Sequence, residues 1–124
     1  MLHHFSLPVS NLARAGIFYD AALAPLGYVR VWSDHSAIGY GHAHGEDQFT
    51  IKLRPVVAVP GDGFHVAFTA PSRETVDAFY QAALKHGGKD NGAPGIHSEY
   101  GAHYYAAFVF DPEGYRIEAV INKA

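Results

Sequence analysis

Apolar and polar residues alternate along residues 2–9, with Phe5, Leu7 and Val9 on one side and His4, Ser6 and Pro8 on the other. That period of two predicts a half-buried strand. The period then changes: Leu12, Ala15, Tyr19, Ala22 or Leu23, and Leu26 recur at helical spacing, with Ser10 or Asn11 placed to cap the helix. Further strands are predicted over residues 28–32, 37–41 and 48–53, with Ser33-Asp34-His35-Ser36 as a turn between the first two.

The chain then repeats itself. At a constant offset of 61 residues His4 matches His65, Phe18 matches Phe79, Tyr19 matches Tyr80, Ala21-Ala22-Leu23 matches Ala82-Ala83-Leu84, and Gly27 matches Gly88. The second copy opens with a strand in which Phe64, Val66 and Phe68 alternate with His65, Ala67 and Thr69. A helix follows, capped by Ser72, with Val76, Phe79 or Tyr80, Ala83 and Leu84 inward and Gly87-Gly88 as a left-handed stop. A weak strand near residues 89–91 precedes two stronger ones over 103–110 and 115–121. These two are joined by Asp111-Pro112-Glu113-Gly114, which suits a type I turn. Two βαβββ modules, residues 1–60 and 61–124, therefore predict one domain of the α+β class.

Composition narrows the chemistry. At 124 residues, with 48% hydrophobic and 17% charged, the chain has enough apolar material for an ordinary globular core. A net charge of −3 without a basic run argues against nucleic acid and anionic membranes as partners. The absence of cysteine excludes disulfides, thiolate metal sites and a cysteine nucleophile. No apolar run approaches the ~18 residues of a membrane span, and the first residues do not read as a signal peptide, so a cytoplasmic protein is expected.

The alternation also sorts side chains by face. His4 and His65 lie opposite the apolar set of their strands, and in the last strand Ile117, Ala119 and Ile121 leave Arg116, Glu118 and Val120 on the other face. Two imidazoles and a carboxylate thus point away from the helix-packed layer and would converge if the sheet curls. The same reasoning turns His3 to the face opposite His4. Pattern alone leaves two readings open. The three residues are a divalent-metal set suited to Zn, Ni, Mn or Fe(II), or they are polar residues on a wet sheet face.

His97, Glu99, Tyr100, His103 and Tyr105 lie in or beside a Gly-rich segment, 92–102, which reads equally as a loop that covers a pocket mouth or as a solvated loop followed by an ordinary aromatic strand. His103 and Tyr100 are the acid–base candidates, and Trp32 and Tyr105 are expected as substrate contacts on the cavity wall. His42-Ala43-His44 reads as a hairpin tip with two exposed imidazoles rather than a local metal site.

The segments His4-Phe5-Ser6-Leu7-Pro8-Val9-Ser10-Asn11-Leu12, Phe18-Tyr19, Ala24-Pro25-Leu26-Gly27-Tyr28, Gly63-Phe64-His65-Val66-Ala67-Phe68 and Asp111-Pro112-Glu113-Gly114-Tyr115-Arg116-Ile117-Glu118 span nearly the whole chain. In that order they resemble the vicinal-oxygen-chelate superfamily of glyoxalases, bleomycin-resistance proteins and extradiol dioxygenases. The resemblance implies a curved eight-stranded cup around a divalent metal, with His4, His65 and Glu118 as ligands. It further implies a homodimer and a small oxygenated substrate that chelates the metal, in a lyase, isomerase or dioxygenase reaction. The alternative it carries is a non-catalytic, drug-binding protein of the bleomycin-resistance type.

One departure bears on the reaction. Aligning Phe49-Thr50-Ile51-Lys52 with Tyr115-Arg116-Ile117-Glu118 places Lys52 where a lactoylglutathione lyase of this superfamily carries a fourth, glutamate ligand. A protonated lysine cannot ligate a cation but can pair with an anionic substrate, so Lys52 argues against lactoylglutathione lyase activity and for a substrate contact.

Overall fold

The computed structural model describes residues 1–124. Its elements run β1 (Phe5–Val9), α1 (Leu12–Leu23), β2 (Val29–Ser33), β3 (Ala37–Gly41), β4 (Phe49–Leu53), β5 (Val66–Thr69), α2 (Arg73–Lys85), β6 (Lys89–Ile96), β7 (Tyr104–Phe110) and β8 (Arg116–Asn122). The chain is α+β, two βαβββ units in succession. Each unit builds its own four-stranded sheet, in the orders β1-β4-β3-β2 and β5-β8-β7-β6. In each, the first strand pairs in parallel with the fourth and the remaining neighbours are antiparallel.

The helices start where local chemistry permits. Asn11 is extended, and its side chain accepts the Arg14 backbone N–H at 2.9 Å, so Asn11 rather than Ser10 is the cap of α1. Ser72 caps α2 in a reciprocal box: its hydroxyl accepts from the Thr75 N–H while the Thr75 hydroxyl accepts from the Ser72 N–H. After α2 the chain reverses at Gly87, whose φ of 104° a side chain would resist.

The helix-bearing faces of both sheets share one core. Phe18, Tyr19 and Leu23 of α1 pack with Val76, Phe79 and Ala83 of α2 over Val9, Ile51, Val109 and Ile117. The matched pair Phe18 and Phe79 is fully buried. A second tie crosses the copies at the β7–β8 turn. Asp111, itself buried, accepts the backbone N–H groups of Glu113, Gly114 and Tyr115 through one oxygen and the Tyr19 hydroxyl, at 2.5 Å, through the other. Tyr115 in turn donates to the Pro8 carbonyl at 2.8 Å.

The structure departs from the sequence expectations at two places. Half of the segment read as a pocket loop is strand: β6 continues through Ile96, shifting register at Gly92 and Gly95. Gly92, at φ 147°, leaves room for the Phe108 ring, so pairing with β7 overrides a weak local propensity. The first strand begins at Phe5 rather than at residue 2, which removes His3 and His4 from its alternation. No helix is long and apolar enough to cross a membrane.

Candidate functional site

The outer face of the second sheet carries a polar centre. On β8 the apolar side chains of Ile117 and Ala119 face the core, so Glu118 turns the other way, beside Ala67 on β5 and Phe108 on β7. Its side chain is only 2% exposed, yet both carboxylate oxygens are engaged. Oε1 lies 3.1 Å from His65 Nε2, and Oε2 accepts the Tyr104 hydroxyl. Burial, then the bond to Glu118 and its charge, pushes the Tyr104 phenol well above its ordinary pKa, so it stays protonated and acts as a donor.

A pocket of about 390 Å³ opens over this group. Its lining includes Phe64, His65, Asn91, Tyr100, Tyr104, Phe108, Arg116 and Glu118. Arg116 sets a guanidinium over the Phe110 ring at 5.4 Å, adding positive charge at the edge. Tyr100 stands at the rim against the Tyr104 ring, with centroids 5.3 Å apart.

The outer face of the first sheet is different. His4 is exposed and, with Phe5 and Tyr28, lines a separate hollow that the first sheet shares with Ala67 and Thr69 of β5 in the second. The Trp32 indole lies flat across Gly39, where an added Cβ would stand 2.3 Å from Nε1. Thr50 donates to Asp47 at 2.8 Å, and this bond, with a lesser one from Trp32, holds the Asp47 carboxyl below the usual range. Lys52 is half-buried and forms no ion pair.

Within one chain, then, His65 and Glu118 meet and His4 does not join them; no three His, Asp or Glu side chains cluster closely enough to hold a metal ion. Of the acid–base candidates, Tyr100 lines the pocket, whereas His103 is exposed in the turn before β7 and does not. Tyr105, expected on the cavity wall, faces α2 instead. Its hydroxyl donates to Asp77 at 2.6 Å and Arg73 covers its ring. The alternation that brings Tyr104 over Glu118 turns Tyr105 away. Sequence reasoning misses Tyr104 because the aromatic run from Tyr104 to Phe110 carries no polar marker of parity.

Strand pairing also revises the place given to Lys52. Glu118 pairs with Ala67; the residue 61 positions before Ala67 is Ser6, and Ser6 pairs with Thr50. Thr50, not Lys52, therefore occupies the position equivalent to Glu118. Lys52 lies on the same face two residues further along β4. β4 therefore carries a hydroxyl where β8 carries a carboxylate.

Two βαβββ units with a His–Glu pair on one outer face define a protein of the vicinal-oxygen-chelate architecture. The family model of the Glyoxalase/Bleomycin resistance protein/Dioxygenase superfamily matches residues 1–119, and the chain belongs to that superfamily. It is similar to a glyoxalase/bleomycin resistance protein from Albidiferax ferrireducens T118, at 31% identity and TM-score 0.79 over 94% of both chains. A glyoxalase-related enzyme from Fulvimarina pelagi shares the fold at 18% identity and TM-score 0.75, over 98% of this chain and 88% of that one. So does the bleomycin resistance determinant encoded on transposon Tn5, at 17% identity and TM-score 0.65, over 96% and 95% of the two chains. No curated protein matches the chain.

Proposed function

We propose that this chain is a metal-dependent enzyme of the superfamily, acting on a small oxygenated substrate that reaches the metal through adjacent oxygens. The observation that supports this best is Glu118: a carboxylate buried at the floor of an open pocket, with a histidine nitrogen 3.1 Å away. Burying a carboxylate is costly unless charge or hydrogen bonds compensate it; Tyr104 supplies a hydrogen bond, and a divalent cation would supply the charge. The donor chemistry fits: a neutral imidazole and a carboxylate suit Zn, Ni, Mn or Fe(II).

In this reading His65 and Glu118 are two ligands and His4 is the third, contributed by a second copy of the chain in a homodimer. The separation of His4 from the pair within one chain motivates that assignment. A divalent ion, when bound, would polarise a substrate oxygen. The protein's own groups do the rest. Tyr104 keeps its proton and holds one carboxylate oxygen of Glu118 in place. Arg116 draws an anionic substrate to the pocket, and Phe64 and Phe108 exclude water around it. Tyr100, at the rim, is the group placed to pass a proton.

A second reading is favoured by the first sheet, where Trp32 over Gly39 offers a flat aromatic surface and Lys52 an unpaired cation. These would suit a flat anionic compound held without turnover, as in drug sequestration. Metal analysis of protein purified without an affinity tag separates the two: near-stoichiometric divalent metal supports the enzyme, and metal-free protein that binds an aromatic anion supports the rival. Mixing His4→Ala with Glu118→Ala protein tests sharing between copies. Each variant alone should bind no metal, while each mixed dimer should regain one site. No recovery, with mixed dimers shown to form, would exclude the shared site.

A further inference from the structure

Glu46, His3 and His4 form a hydrogen-bonded chain at the edge of the first sheet. His3 Nε2 lies 2.9 Å from Glu46 Oε2, and His3 Nδ1 lies 2.8 Å from His4 Nδ1. The rings stand edge to face, 86° apart. Nothing in the strand pattern anticipates this, because both histidines precede β1 and the alternation does not govern them.

We infer that Glu46 and His3 are positioning residues that hold neutral His4 with its proton on Nδ1 and its lone pair on Nε2. A carboxylate only accepts, so the His3 nitrogen facing Glu46 carries the hydrogen. A neutral His3 then presents a lone pair at Nδ1. Two lone pairs repel at 2.8 Å, so the facing His4 Nδ1 must carry a proton. The remaining nitrogen of neutral His4, Nε2, is left as a free base. A carboxylate relayed through one ring thus sets the tautomer of the next, as outer partners of ligating histidines do.

The far end of the relay is held by backbone. Glu46 closes the hairpin between β3 and β4, in which His44 adopts φ 63° and the Gly45 N–H bonds the His42 carbonyl at 2.9 Å. The Glu46 carbonyl crosses so close to Gly41 that a Cβ there would stand 2.2 Å from its oxygen. Gly41 is therefore what lets the hairpin lie down and deliver Glu46 to His3.

The relay rests on the proposed role of His4 as a ligand for its purpose, but not for its test. Long-range ¹H–¹⁵N correlation spectra of the metal-free protein at about pH 8, where ordinary imidazoles are neutral, report the tautomer directly. His4 should show a protonated Nδ1 and an unprotonated Nε2. His3→Ala and Glu46→Ala, both at exposed positions that folding tolerates, should each shift His4 toward the Nε2–H form that free histidine prefers. In Zn(II) titrations each should weaken affinity roughly 10- to 100-fold. A His4 that carries its proton on Nε2 in the natural protein, or a tautomer unmoved by both variants, overturns the inference. If the tautomer behaves as stated but His4→Ala binds Zn(II) as tightly as the natural protein, the ligand reading fails and the relay stands.

Discussion

Thr50 stands in the first sheet where Glu118 stands in the second, each paired with the equivalent residue of its module's first strand. The asymmetry is chemical: one copy places a buried carboxylate against a histidine, the other a buried hydroxyl against the Asp47 carboxylate. The first copy therefore brings an acidic group to the neighbourhood from a loop, but not a ligand on the strand.

A substitution contrast follows from that register. Lys52→Glu should leave Zn(II) affinity nearly unchanged, because residue 52 is two positions, about 6.8 Å, beyond the equivalent site. Thr50→Glu, combined with Asp47→Asn to avoid crowding two carboxylates, should tighten it at least about tenfold by adding an oxygen ligand. The natural protein should show no hemithioacetal isomerase activity with glutathione and methylglyoxal. Tighter metal binding in Lys52→Glu, or strong isomerase activity without any change, would refute the register argument.

Much of this is legible from periodicity, and the failures share a cause. The period of two assigns a face but not a register, so Thr50 and Lys52 are indistinguishable on β4 until the partners are known. Tyr104 and Tyr105 cannot be sorted because their neighbours are apolar on both faces. The 61-residue offset and the caps at Asn11 and Ser72 are readable because each rests on local chemistry. The relation between the sheets depends on side chains from both copies filling one core, which no local pattern records. That relation separates His4 from His65 and Glu118.

Trp32 is the single tryptophan, so its environment can be read by fluorescence. Gly39→Ala would put a methyl 2.3 Å from its indole nitrogen and force the ring off the sheet. We expect emission to move to longer wavelength as the indole gains water, with a stability loss of only about 1 kcal/mol, because the ring can swing outward. Binding of a flat aromatic anion should weaken in parallel if this face is the receptor of the rival reading. An unchanged spectrum would show that the indole does not lie on Gly39.

The turn at Asp111 should be a stability determinant rather than a functional one. Asp111→Ala strands the backbone N–H groups of Glu113 and Tyr115 and the Tyr19 hydroxyl, while the Gly114 N–H keeps its bond to the residue 111 carbonyl; the change should cost at least about 3 kcal/mol at neutral pH in urea unfolding. Asp111→Asn keeps one oxygen for the backbone donors and offers an amide to Tyr19. Its loss should be closer to about 1 kcal/mol. Equal losses in the two variants would show that the hydrogen bonds are not what holds the turn.

The same pair fixes the sign of the pH dependence. Burial raises the Asp111 carboxyl above its ordinary value despite four hydrogen bonds, and burial followed by the Asp111 charge raises the Tyr19 phenol well above its own. Both groups therefore bind protons more tightly in the folded state, so stability must fall as pH rises through each window between the unfolded and folded values. For Asp111 the window opens just above the ordinary carboxyl value of 3.8, and for Tyr19 above the ordinary phenol value of 10.0. Tyr19→Phe removes one proton from the alkaline balance and should flatten the loss of stability above pH 10 by up to about 1.4 kcal/mol per pH unit. Asp111→Asn should instead abolish the decline on the acid side of neutrality that Asp111 contributes. Urea midpoints from pH 4 to 11 test both. A Tyr19→Phe protein whose alkaline decline matches that of the natural chain would mean that Tyr19 ionises in the folded state as readily as in the unfolded one.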